Sequence, residues 1–164
     1  MNLKDVNHRQ IRNFLGWFAA SLSLMLVSCS SAPARPVTNY TPTMSEKAAN
    51  TAVAMIGRPY KYRGDNPEGF DCSGLVRYSY LAAGLSVPHG TKPLRKVTRP
   101  VSFQEIRKGD LLFFYERGKK NSHVGIYLED DIFVHAPSSG GNVKKESLSD
   151  PHWKKSFLEA RRFM

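Results

Sequence analysis

The chain has 164 residues, 41% of them hydrophobic, with two Trp, seven Tyr and nine Phe, enough for one folded domain with its own apolar core. A formal charge of +10 favours an anionic partner or surface. No zinc-finger spacing, basic zipper pattern or aromatic single-strand motif accompanies that charge, so nucleic acid is not the expected partner. Two cysteines, Cys29 and Cys72, are too few for a disulfide-stapled scaffold.

In chain order, Lys4, Arg9 and Arg12 precede an uncharged, mostly apolar stretch from Phe14 to Val27. A positive region before a short apolar segment is an export signal, and this one is shorter than the ~20 residues a spanning helix needs. The residues Leu26-Val27-Ser28-Cys29 resemble the bacterial lipobox, which implies removal of residues 1–28 and acylation of Cys29 as the new first residue. Several acyl chains anchor firmly, because each buried methylene contributes about 0.8 kcal/mol. Ser30, rather than Asp, follows the cysteine, which by resemblance to Gram-negative sorting points to the outer membrane. The alternatives are an ordinary secretory signal ending near Ala32 or Ala34, and a Cys29–Cys72 disulfide. Removing the leader takes away three Lys/Arg and one Asp, so the basicity belongs to the working domain. Residues 29–44, rich in Ser, Ala, Pro and Thr, read as a lipidated tether, and residues 45–164 as the folded domain.

Ala48, Ala49, Ala52, Val53 and Ile56 recur at helical spacing, with Ser45 as cap and Gly57 as stop. Pro59 forces an extended segment in which Tyr60 and Tyr62 alternate toward one side. Cys72–Ala83 is a second helix, capped by Asp71 or Ser73 and closed by Gly84. Residues 88–100 hold three prolines with His89, Lys92, Arg95, Lys96 and Arg99, and read as a basic loop, a solvated face rather than a substrate rim. Short apolar runs then follow: 111–115, 123–128, 132–135 and 157–163. Separated by polar turns at 117–121, 129–131 and 138–141, they predict an antiparallel sheet and an α+β architecture, with helices packed on the sheet.

Chemistry concentrates at Cys72. A thiol at the first turn of a helix meets unpaired N–H groups and the positive end of the dipole, which favour thiolate. His123 and His135 lie on strands joined by a tight turn, so they can approach each other and the thiol. Three readings fit these residues. One is a nucleophilic triad, in which one imidazole takes the thiol proton and the other fixes its tautomer. Another is a zinc site, for which Asp71 is the only near fourth ligand. The last is a structural thiol with two ordinary histidines.

Five blocks in unbroken order carry a resemblance: 59–64 (PYKYRG), 70–76 (FDCSGLV), 108–114 (KGDLLFF), 123–127 (HVGIY) and 133–136 (FVHA). They are similar to the successive signatures of the NlpC family of papain-like cell-wall peptidases. The tail, 150–162, is similar to the lipoprotein members of NlpC and Spr type. The resemblance implies Cys72 as nucleophile, His123 as general base and His135 as the residue orienting it. It also implies Tyr60 near the oxyanion or substrate, and Asp71 and Ser73 along the substrate groove. No metal or organic cofactor is implied. Arg63, Pro137 and the 87–100 loop depart from the family pattern, which bears on subsites rather than on chemistry.

The expected activity is hydrolysis of peptidoglycan stems or crosslinks, at a D-alanyl-meso-diaminopimelate or a γ-D-glutamyl-meso-diaminopimelate bond. The enzyme is expected to be a monomer, periplasmic and held to the membrane through Cys29. The alternative is a non-catalytic wall-binding lipoprotein with a vestigial site. An acyltransferase or lipid amidase of the related permuted folds is disfavoured by the order nucleophile, base, third residue.

Overall fold

A computed structural model describes residues 39–116 and 118–164. The predicted leader, Cys29 and most of the tether lie outside the described residues. The first helix, α1, spans Pro42–Ala54. It starts three residues before the expected Ser45 cap, because Pro42 fits the first turn, where no N–H is needed, and Thr41 supplies the extended flank. Ser45 is buried instead, between the hydroxyls of Tyr40 and Tyr80 at 2.9 and 3.2 Å. Packed structure therefore reaches back to Tyr40, into the stretch read as tether.

Two short strands, β1 (Asp65–Asn66) and β2 (Gly69–Phe70), form a small hairpin that delivers the chain to α2, Cys72–Ala82. Asp71 caps that helix, its Oδ1 accepting from the Gly74 N–H at 2.7 Å and from the Ser73 hydroxyl at 2.8 Å. Gly84, at φ +93°, closes it in a left-handed turn that a side chain would strain. Gly74 is fixed for another reason: a Cβ there would lie 1.9 Å from the carbonyl oxygen of Gly64. The start of α2 thus rests on backbone, which holds Cys72 in a set position.

The expected basic loop is not a loop throughout. It contains α3 (Thr91–Lys96) and an edge strand, β3 (Thr98–Val101), paired antiparallel with the last strand of the chain. Pro100 hid that strand in the sequence, and it is tolerated because β3 lies at the sheet edge. The other strands are β4 (Leu111–Glu116), β5 (Lys119–Tyr127), β6 (Ile132–His135), β7 (Lys144–Ser147) and β8 (Phe157–Phe163). A short helix, α4 (Pro151–Ser156), precedes β8 and is capped by Asp150. The six-stranded sheet runs β3-β8-β4-β5-β6-β7, all antiparallel. The α+β architecture predicted from the order of elements is the one found.

Strand β4 shows why its sequence is apolar without alternation. Leu111 and Phe113 enter the core beneath α1 and α2, while Leu112 and Phe114 enter a second cluster with Phe133, Trp153 and Ala160. Both faces of the sheet are covered, so both sets of side chains leave water. His123 and His135 belong to the second face, in ring contact with Phe114, Phe133 and Trp153.

Candidate active site

Cys72, Tyr60, Asp71 and Ser73 line one cleft of 450 Å³, together with His89 and Ser138. Cys72 carries a free thiol. Its sulfur accepts a backbone hydrogen bond from Val124, the residue after His123, and another from Ser73. The Cys72 helix and the histidine strand therefore meet at this sulfur. His123 Nε2 lies 2.8 Å from His135 Nδ1, with the two rings nearly perpendicular at 89°. The hairpin between β5 and β6 produces the approach the sequence anticipated. Gly125 makes room on that face, since a Cβ there would sit 2.5 Å from the Phe133 ring.

Both imidazoles are fully buried, at 0% and 1% exposure. Burial holds both below the ordinary histidine range, so both are neutral at pH 7. For His135 the neighbouring His123 and Lys144 push in the same direction, while Glu116 and Asp71 oppose the shift on His123. Trp153 stands against both rings, with centroids 5.6 Å from His123 and 4.9 Å from His135, and is itself 7% exposed. It closes the pair off from water on that side.

The thiol corrects one expectation. A helix N-terminus alone would lower its pKa, but Cys72 is pushed up to about 12, first by burial and then by Asp71, with Glu116 adding a smaller push. The residue keeps some surface open to the cleft, yet its sulfur is desolvated enough to outweigh the two N–H contacts that pull the other way. Burial thus favours the neutral thiol, and an anionic sulfur would need a neighbouring base to take its proton.

Asp71 and Ser73 are committed to the helix cap, and Ser73 is 4% exposed. Asp71 also faces His89, whose Nε2 lies 3.0 Å from each carboxylate oxygen. His89, read in the sequence as part of a solvated basic face, is thus a wall of the cleft. Glu116 was not anticipated either: its Oε2 accepts from the Ser138 hydroxyl at 2.7 Å and lies 3.5 Å from His123 Nδ1. Both miss for the same reason. Each meets its partner through a fold contact between residues on different elements, and neither sits in a motif. Tyr60 is half-buried in the cleft wall, and Tyr62 beside it is 78% exposed. Among the described residues, no group of three or more His, Cys, Asp or Glu is arranged to hold a metal ion.

A papain-like helix-and-sheet scaffold with a cysteine at a helix start and paired histidines on adjacent strands defines a class of thiol hydrolases. The model of the NlpC/P60 family matches residues 57–162, and the chain belongs to that family. It is similar to murein DD-endopeptidase MepH of Escherichia coli K12, 34% identical over 122 residues, which are 71% of this chain and 45% of the relative. It is also similar to peptidoglycan DL-endopeptidase CwlO of Bacillus licheniformis, 41% identical over 121 residues, 68% of this chain and 26% of the relative. The chain spans less than half the length of either. Among solved structures, a lipoprotein-like NLP/P60 protein of Staphylococcus aureus superposes with a TM-score of 0.67 at 32% identity, covering 78% of this chain and 44% of that one.

Proposed function

We propose that this chain is a lipid-anchored cysteine endopeptidase that cuts peptide stems or crosslinks of peptidoglycan during cell-wall remodelling. The observation that carries the reading is that the Cys72 sulfur, on the cleft, takes a backbone hydrogen bond from Val124, next in the chain to His123, whose buried ring pairs with His135 through Nε2 and keeps Nδ1 without a hydrogen-bond partner among the described residues. The names of the two relatives support the substrate class.

In this reading the thiol proton moves to His123 Nδ1 as the sulfur attacks the scissile carbonyl carbon. His135 holds the opposite nitrogen of His123. The carbonyl oxygen becomes an oxyanion, stabilised by N–H groups at the start of α2 with the Tyr60 hydroxyl near it. The imidazolium then gives its proton to the leaving amine, and a thioester remains on Cys72. Water, deprotonated by the again neutral His123, releases the acid. Asp71 and Ser73 act chiefly through the helix cap that sets the thiol's position.

Export, acylation of Cys29 and a place at the periplasmic face of the outer membrane rest on the lipobox-like leader alone. The bond is the open choice, since one relative is named for DD and the other for DL cleavage. The Spr-like tail tips the reading toward the D-alanyl-meso-diaminopimelate crosslink. Mass spectrometry of crosslinked diaminopimelate-type muropeptides after incubation with the full chain decides it. Loss of dimers with gain of intact monomers assigns the crosslink, and stems shortened to D-glutamate assign the other bond. Wall association without Cys72-dependent products would move the assignment to a binding lipoprotein.

A further inference from the structure

His123 Nδ1 is buried and has no hydrogen-bond partner among the described residues, while the ring's other nitrogen is engaged by His135. Acid–base chemistry at this ring would place a proton, and a positive charge, on that nitrogen. Every charged or titratable group facing it therefore matters. Asp71 acts on the ring from α2, His152 from α4 and Glu116 from the end of β4, while His135 on β6 engages the opposite nitrogen. Glu116 is the carboxylate that stands beside Nδ1 itself, at 3.5 Å.

Glu116 is held there on purpose-built contacts. Its Oε2 accepts from Ser138, across the cleft rim, at 2.7 Å. Its backbone N–H donates to the Ser122 hydroxyl at 2.9 Å, and its carbonyl accepts from that same hydroxyl at 2.7 Å. The register of β4 against β5 shifts between Phe114, paired with His123, and Glu116, paired with Lys119. The side chain is 16% exposed, so its charge is screened far less than on an open surface.

We propose that Glu116 is a fourth functional group of the site, a positioning carboxylate that stabilises the imidazolium formed when His123 takes the proton of Cys72. No proton moves to Glu116: the S–H bond breaks, the Nδ1–H bond forms, and the carboxylate stays ionised throughout. It acts on the balance between two neutral groups and an ion pair. It favours charge on the nearer imidazole more than it opposes charge on the sulfur. The inference rests on the peptidase reading for its effect on turnover, but not for its effect on the thiol.

The test uses the full chain as wild type, Glu116→Gln, Glu116→Asp and Ser138→Ala. Two quantities are read: the pH dependence of Cys72 alkylation by iodoacetamide, and kcat and KM on muropeptides. Glu116→Gln should lower alkylation at pH 7 relative to pH 10 by roughly tenfold, a charge contact of about 1.4 kcal/mol, and lower kcat with KM within twofold. Glu116→Asp should recover part of both, and Ser138→Ala should weaken both. An unchanged alkylation profile in folded Glu116→Gln protein overturns the proposal, as does a rise in KM alone, which would make Glu116 a substrate contact. If muropeptides are not cut by wild type, the peptidase reading fails, while the alkylation profile still decides the role of Glu116.

Discussion

His123 Nε2 and His135 Nδ1 stand 2.8 Å apart with no water-accessible surface between them, so one N–H must bridge the two nitrogens. If His123 donates it, Nδ1 of His123 carries a lone pair and can take a proton from the thiol. If His135 donates it, that lone pair is occupied. Only the first arrangement suits a general base, and it requires His135 Nδ1 to be the acceptor. Replacing His135 by Ala should therefore lower kcat by about 10²-fold or more, the size of a lost acid–base contribution. His135→Asn, whose side-chain oxygen still accepts, should recover a good part. Steady-state rates on muropeptides at pH 7 check this, and equal rates for both variants would contradict it.

The buried neutral imidazoles also set how stability depends on pH. In the unfolded chain His123 and His135 titrate near 6.5, whereas burial depresses both in the folded protein. Below that value the unfolded state binds protons that the native state refuses, so stability falls as pH drops. For Cys72 the sign is opposite. Its folded value of about 12 lies above the ordinary 9.0, so its contribution is full below pH 9 and is lost as pH rises toward 12. Thermal unfolding followed from pH 4 to 10 should give a plateau between about 6.5 and 9. His123→Gln/His135→Gln should flatten the acid side.

Far from the cleft, Arg162 donates from Nε and Nη2 to the two carboxylate oxygens of Asp110, at 2.7 and 2.6 Å, and Asp110 is 1% exposed. The Arg107 N–H adds a third contact to the same carboxylate. Arg162→Leu leaves that buried charge without its counterion and should cost about 3–5 kcal/mol. Urea unfolding measures it, and a loss below 1 kcal/mol would show that the pair is dispensable.

The sequence made much of this legible, because the informative residues lie in local patterns. Asp71, Cys72 and Gly84 mark both ends of α2, and the run at 157–163 is the final strand as read. The rest was hidden for physical reasons. Lys144–Ser147 forms β7 although its residues are polar on both faces, because it is a sheet edge. The strands at 65–66 and 69–70 are too short for a period to appear. Trp153, Glu116 and His89 acquire their roles only through contacts made across elements. The neutral thiol was hidden too: a helix start can be read from sequence, but the desolvation that overrides it cannot.

The central claim is that Cys72 cuts peptidoglycan peptides, and the direct measurement is digestion of purified diaminopimelate-type sacculi by the full chain and by Cys72→Ala, with the products weighed. The account predicts new amino- and carboxyl-ended stem fragments with wild type and none with Cys72→Ala, while the variant keeps its thermal transition and its association with sacculi. Equal fragments from both proteins, or none from either, would contradict it.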